Sequence, residues 1–155
     1  MTHLKQVFFK WVTDFAPLHD VAPDGAVLCY GVAGSGFPLG DNGKTFVLSA
    51  SSSGKVPAGV LTQPFVNLDE TVHKKNYWSQ EQCTGYPAEV IRKGVILTDL
   101  VVGSAPTHGD KAYLTSSGYI TKTSVGTVQT PYVGEFQSKP DENGFVKVMI
   151  ELPNA

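Results

Sequence analysis

Gly43-Lys44-Thr45 is the triplet that could do phosphate chemistry, since a lysine beside a glycine loop is the core of many nucleotide sites. That chemistry needs a glycine five positions before Gly43, where the chain has Pro38, and a helix afterwards so that backbone amides point at the anion. The chain instead continues into Phe46-Val47-Leu48, a strand pattern, and Asp41-Asn42-Gly43 reads as a hairpin turn because Asn-Gly takes positive φ at low cost. Gly34-Ser35-Gly36 fails as a dinucleotide fingerprint, with Leu39 at the third glycine position. It also fails as a nucleophile elbow, because the serine comes directly after the first glycine.

His3, His19, His73 and His108 stand alone in sequence, without a partner at metal-ligand spacing. His108 sits in Thr107-His108-Gly109-Asp110, where Gly-Asp marks a turn and Asp110 serves local backbone amides. The carboxylate pairs Asp69-Glu70 and Asp141-Glu142 fall in turns, where solvation is the default. Cys29 and Cys83 lack metal spacing and are too few for a disulfide scaffold; they read as small buried apolar residues. No catalytic, cofactor-binding or metal-binding residue is assigned, and the chain is expected not to be an enzyme.

The elements behind these residues are short strands. At 155 residues the chain is one domain in length and long enough to fold without staples. Its 16 glycines and 10 prolines separate brief apolar runs, which favours turns over long helices. Strands are expected over Gly25–Gly31, Lys44–Ala50, Pro57–Leu61 and Arg92–Leu97, the last two sharing a Gly-Val core. Residues 69–85 read as a long polar excursion. Lys111–Thr115 and Tyr119–Thr121 pair across Ser116-Ser117-Gly118, Pro131–Phe136 comes next, and Asp141-Glu142-Asn143-Gly144 turns into Phe145–Leu152. The fold class is therefore all-β: a small barrel or sandwich of about eight short strands with an N-terminal arm or short helix. The division is residues 1–24 for the arm or helix and 25–155 for a single β domain.

Charged residues make up 17% of the chain against a typical figure of about 25%, so much of the surface is neutral or apolar and suited to being covered. The net charge of −2 with scattered cations supplies no field for a phosphate backbone, which argues against nucleic-acid partners. No apolar run approaches about 18 residues, so no membrane partner is expected. Lys5, Lys10 and Asp14 interrupt every candidate signal-peptide core, which points to synthesis in the cytoplasm.

Val7, Phe8, Phe9, Trp11, Val12 and Phe15 are the candidate partner-binding residues. Phe8, Trp11, Val12 and Phe15 fit one helical face; Val7, Phe9, Trp11 and Phe15 fit one side of a strand, and both readings stay open. Burying four rings gains about 15–25 kcal/mol, and ordering about fifteen residues costs a similar amount. Such an arm orders only where an apolar surface receives nearly all of its rings.

From Ala88 to Leu152 the order of glycine-marked strands resembles the small decoration (cement) proteins of tailed-bacteriophage heads. The marks are Lys93-Gly94-Val95-Ile96-Leu97, then Gly109-Asp110-Lys111-Ala112-Tyr113-Leu114 and Gly118-Tyr119-Ile120-Thr121. Val133-Gly134-Glu135 and Gly144–Ile150 complete the series. The resemblance implies a virion structural protein on the outer capsid surface, made in the host cytoplasm, that clamps neighbouring subunits of the major capsid protein lattice. It also implies a homo-oligomer, a trimer being what local threefold positions would accept. Residues 1–24 have no counterpart in that pattern. Competing readings are a tail or baseplate component, or a receptor- or carbohydrate-binding module using Tyr77, Trp78 and Tyr86. A small hydrolase is a third, and it requires a histidine within reach of a carboxylate in a concave pocket.

Overall fold

The computed structural model describes residues 3–18, 20–31, 45–48, 55–67, 81–122 and 131–152. The expected hairpin at 41–43, the Gly34-Ser35-Gly36 loop, His19, His73, Tyr77, Trp78, Asp69 and Glu70 lie outside the described residues. Eleven strands are described: β1 (Leu4–Pro17), β2 (Val27–Tyr30), β3 (Phe46–Val47), β4 (Pro57–Leu61), β5 (Phe65–Val66), β6 (Gln82–Cys83), β7 (Pro87–Thr98), β8 (Lys111–Leu114), β9 (Ile120–Thr121), β10 (Tyr132–Phe136) and β11 (Val146–Glu151). The only helical turn among the described residues is a 3₁₀ segment, Ser116–Gly118, and none is long and apolar enough to cross a membrane. The chain is all-β.

Nine strands form one antiparallel sheet, ordered β3-β2-β4-β7-β11-β10-β8-β9, with β1 added to β7. β7 is the hub. β1 runs beside it from Pro87 to Thr98, β4 pairs with Val90 and Ile91, and β11 pairs with Lys93 through Thr98. A strand has two edges, so β1 holds one of them throughout while β4 and β11 divide the other.

The far end of the sheet curls back on its beginning. A side chain on Gly118, just before β9, would press on Ala26 Cβ, the Val27 carbonyl and Leu48. The curl encloses an inner cluster that includes Val27, Val60, Ile91, Ile96, Val148 and Ile150. A second cluster on the other side of β2 and β4 includes Leu18, Leu28, Phe46, Leu61, Phe65 and Val90. Lying between two clusters, β4 is buried at all of its positions, which is why Pro57–Leu61 reads as an unbroken small and apolar run.

Turn chemistry sets the expected hairpins. Asp141 Oδ1 accepts the amides of Asn143 and Phe145, both at 2.9 Å, and Gly144 takes φ +83°, which turns the chain into β11. Ser117 adopts φ +58° within the 3₁₀ turn between β8 and β9. Val60 of the first Gly-Val segment lies opposite Ile91, the residue just before the second, so the two segments belong to neighbouring strands, β4 and β7. Gln82–Cys83, read as part of a polar excursion, instead pairs in parallel with Phe65–Val66; two-residue strands carry no periodicity to find.

Candidate functional site

Residues 4–17 are extended, and their pairing with β7 is irregular in an informative way. The register runs Leu4↔Thr98, Gln6↔Leu97, Val7↔Ile96, Phe9↔Val95, Lys10↔Gly94 and Val12↔Lys93. Lys5, Phe8 and Trp11 are therefore extra residues of β1, three bulges at a spacing of three, and Arg92 is the compensating extra residue of β7 before Thr13↔Ile91. From Thr13 to Pro17 the register is regular.

The bulges decide which side chains face outward. Leu4 and Val7 lie opposite Thr98 and Ile96, both buried, and Val7 packs against the inner cluster. Phe9 and Val12 lie opposite Val95 and Lys93, alternate residues on the other face of β7. Phe8 reaches that same outer face, because the Lys147 ammonium rests 4.7 Å from its ring centroid and Lys147 stands opposite Leu97. Trp11 joins through Phe9, their ring centroids 6.1 Å apart. The result is an apolar patch of Phe8, Phe9, Trp11 and Val12, with Phe9 58% and Trp11 64% exposed. A regular strand would have sent half of these side chains to the opposite face.

The six sequence-assigned residues thus separate into three groups. Val7 contributes to the fold. Phe8, Phe9, Trp11 and Val12 form the patch. Phe15 is exposed but lies farther along, opposite Glu89, with Pro17 and Pro87 paired beyond it.

Residues that sequence reasoning missed hold β1 at both ends. The buried Asp24 carboxylate accepts the His3 amide at 3.1 Å and the Leu4 amide at 3.2 Å. His3 Nδ1 meets Asp99 Oδ1 at 2.9 Å, and the Asp99 amide donates to the His3 carbonyl at 3.2 Å. At the other end Ala16 and Leu18 are buried, and Leu18 exchanges backbone bonds with Tyr86 and Gly85. Beside this end, the Tyr30 hydroxyl donates to Asp14, while Arg92 donates to that hydroxyl and to the Ala58 carbonyl. β1 is pinned at both ends, and it is the side chains of its middle that point outward.

Phe145, just before β11, and outward residues of that strand extend the patch. Phe145, Lys147 and Met149 alternate with buried Val146, Val148 and Ile150. The Lys5 ammonium sits 5.1 Å from the Phe145 ring centroid.

Titratable groups elsewhere serve structure. Burial pushes the Cys29 thiol up to about 11, and both cysteines are buried. The Thr107 amide, and then its hydroxyl, hold the Asp110 carboxyl below its usual range. Among the described residues, His3–Asp99 is the histidine–carboxylate pair, and it fastens the start of β1. Among the described residues no group of three His, Cys, Asp or Glu is placed to hold a metal ion. Tyr86 is exposed, but Tyr77 and Trp78, its partners in a stacking surface, lie outside the described residues.

Comparison with known proteins identifies a family and a related fold. The family model described as structural cement protein (E217 gp24/Pam3 gp6) matches residues 13–151. The crystal structure of the head fiber gp8.5 N base in bacteriophage phi29 is similar in fold, with a TM-score of 0.52 and 15% identity, covering 90% of this chain and 93% of that one. No curated protein matches the chain.

Proposed function

Because the chain belongs to the structural cement protein family, a family of phage virion structural proteins associated with the capsid, we propose that it clamps neighbouring major capsid subunits from the outer surface of the shell through β1. On this reading residues 1–24 are the docking element and residues 25–155 the platform that presents it. The docking residues are Phe8, Phe9, Trp11 and Val12, with Phe15 as a second contact and Val7 as a packing anchor. A homo-oligomer, trimeric at local threefold positions, would repeat the contact and multiply weak individual affinities. The protein acts by binding and does not catalyse.

The observation that carries this reading is the exposure of Phe9 and Trp11 on a strand whose ends are fixed. Large exposed apolar patches on a soluble domain mark interaction sites. Because β1 is already ordered along β7, docking does not have to meet the ordering cost a free arm would. Co-sedimentation with undecorated capsids tests the proposal. A Phe9→Ala/Trp11→Ala variant should lose at least about tenfold in affinity with an unchanged thermal melt. Wild-type binding by that variant would remove β1 as the contact.

A further inference from the structure

Two lysines flank the patch in the same manner. Lys5 lies over Phe145 and Lys147 over Phe8, each ammonium against a ring face. Among the described residues neither makes a salt bridge. Glu135 of β10, beside Met149, stands opposite Lys111 of β8. Glu89 takes Lys10 at 2.7 Å, and Glu151 stands opposite Lys93. Asp141 feels the Lys5 charge, but its Oδ1 already accepts two backbone amides. An ammonium has three N–H donors, and a ring covers only one side of it, so each lysine keeps donors for an incoming acceptor.

The shape of β1 narrows the occupant. Bulges at Lys5, Phe8 and Trp11, with lysines at positions 5 and 10, blunt its edge against pairing with another strand. The partner must therefore offer side chains to the patch. A second copy laid patch to patch would set lysines against lysines, which disfavours self-association at this face.

We infer that the patch is built for an acidic partner: a capsid-subunit surface carrying Asp or Glu side chains around an apolar socket, with the rings of Phe9 and Trp11 in the socket and carboxylates closing on Lys5 and Lys147. This rests on the capsid-docking role of β1 and names the chemistry it meets. Ring-held cations are oriented before encounter, so a carboxylate reaches a charge already in position. Charge complementarity of this kind raises the association rate and weakens with added salt.

The test uses the full chain and undecorated capsids, with binding followed from about 0.05 to 0.5 M salt. A Lys5→Met/Lys147→Met variant keeps the apolar stems over the rings and removes the charges. It should bind about tenfold more weakly at low salt, with a flatter salt dependence. Lys147→Arg, with Lys5 retained, should keep much of the affinity, and Lys55→Gln, on the approach to β4, should behave as wild type. Wild-type affinity and salt slope in the double Met variant would overturn the inference. If Trp11→Ala loses binding while the double Met variant does not, the acidic partner alone falls. If Trp11→Ala also binds normally, the docking role of β1 falls with it.

Discussion

Gly94 of β7 lies directly beneath the Phe9 carbonyl of β1, so close that a methyl group at position 94 would overlap the carbonyl oxygen and also press on Ile91. The two strands can lie together there only because residue 94 has no side chain. Gly94→Ala should therefore push the patch-bearing part of β1 away from β7. Overpacking of this kind costs about 1–3 kcal/mol. The expected result is a lower urea midpoint together with weaker capsid binding. An unchanged midpoint would mean that the strands are not held as closely as described.

Asp24 fixes the other constraint on β1. Each carboxylate oxygen takes one amide, Oδ1 from His3 and Oδ2 from Leu4. Asp24→Ala leaves both amides without that acceptor at a partly enclosed strand end, a loss of about 1–3 kcal/mol. Asp24→Asn retains one acceptor oxygen and should lose less. Hydrogen exchange separates local from global effects: in Asp24→Ala the amides of residues 3–10 should exchange faster, while those of 146–152 keep their protection. Uniformly faster exchange would show that Asp24 supports the whole sheet instead.

These two positions also explain what the sequence disclosed and what it concealed. The turns at Asp141–Gly144 and Ser116–Gly118 were legible because their residues bring their own backbone preferences, and the alternation of β11 survives intact in Val146, Val148 and Ile150. β1 was ambiguous for a physical reason. Its bulges space the inward residues Leu4 and Val7 three apart, as a helix would, while the chain remains extended. No local pattern reports that Asp24 will meet the amides of His3 and Leu4 across twenty residues, or that Gly94 will face Phe9. The patch residues stood out by composition; that bulges bring four of them together could be read only from the pairing.

Cys29 should be inert. Its thiol is raised to about 11 by burial, against which Lys55 acts weakly in the opposite direction. At pH near 8 almost no thiolate forms in the folded protein, so a disulfide reagent should react only after unfolding. The unfolded thiol deprotonates near 9 and the folded one near 11, so the unfolded state binds fewer protons between them and stability falls as pH rises through that window. Rapid labelling of Cys29 in the native state would contradict its burial.

Asp110 and Asp141 set the acid side of the stability profile. Hydrogen bonds from the Thr107 amide and hydroxyl lower Asp110, with Lys122 3.8 Å away adding a weaker pull. The Phe145 amide leads the same effect on Asp141, ahead of those of Asn143 and Gly144. Both folded carboxyls lie below their unfolded values, so the folded state holds fewer protons in that range. Their stabilisation is complete above the unfolded carboxylate pKa, about 3.9, and is lost as pH falls through the lower folded values. NMR titration of the two carboxyl groups should find midpoints below those of an unstructured Asp. Asp110→Ala should lose stability at neutral pH, and the gap from wild type should narrow as the solution is acidified. A gap that stays constant down to the lowest pH, or midpoints at the ordinary value, would show that these turns do not hold their carboxylates in the charged form.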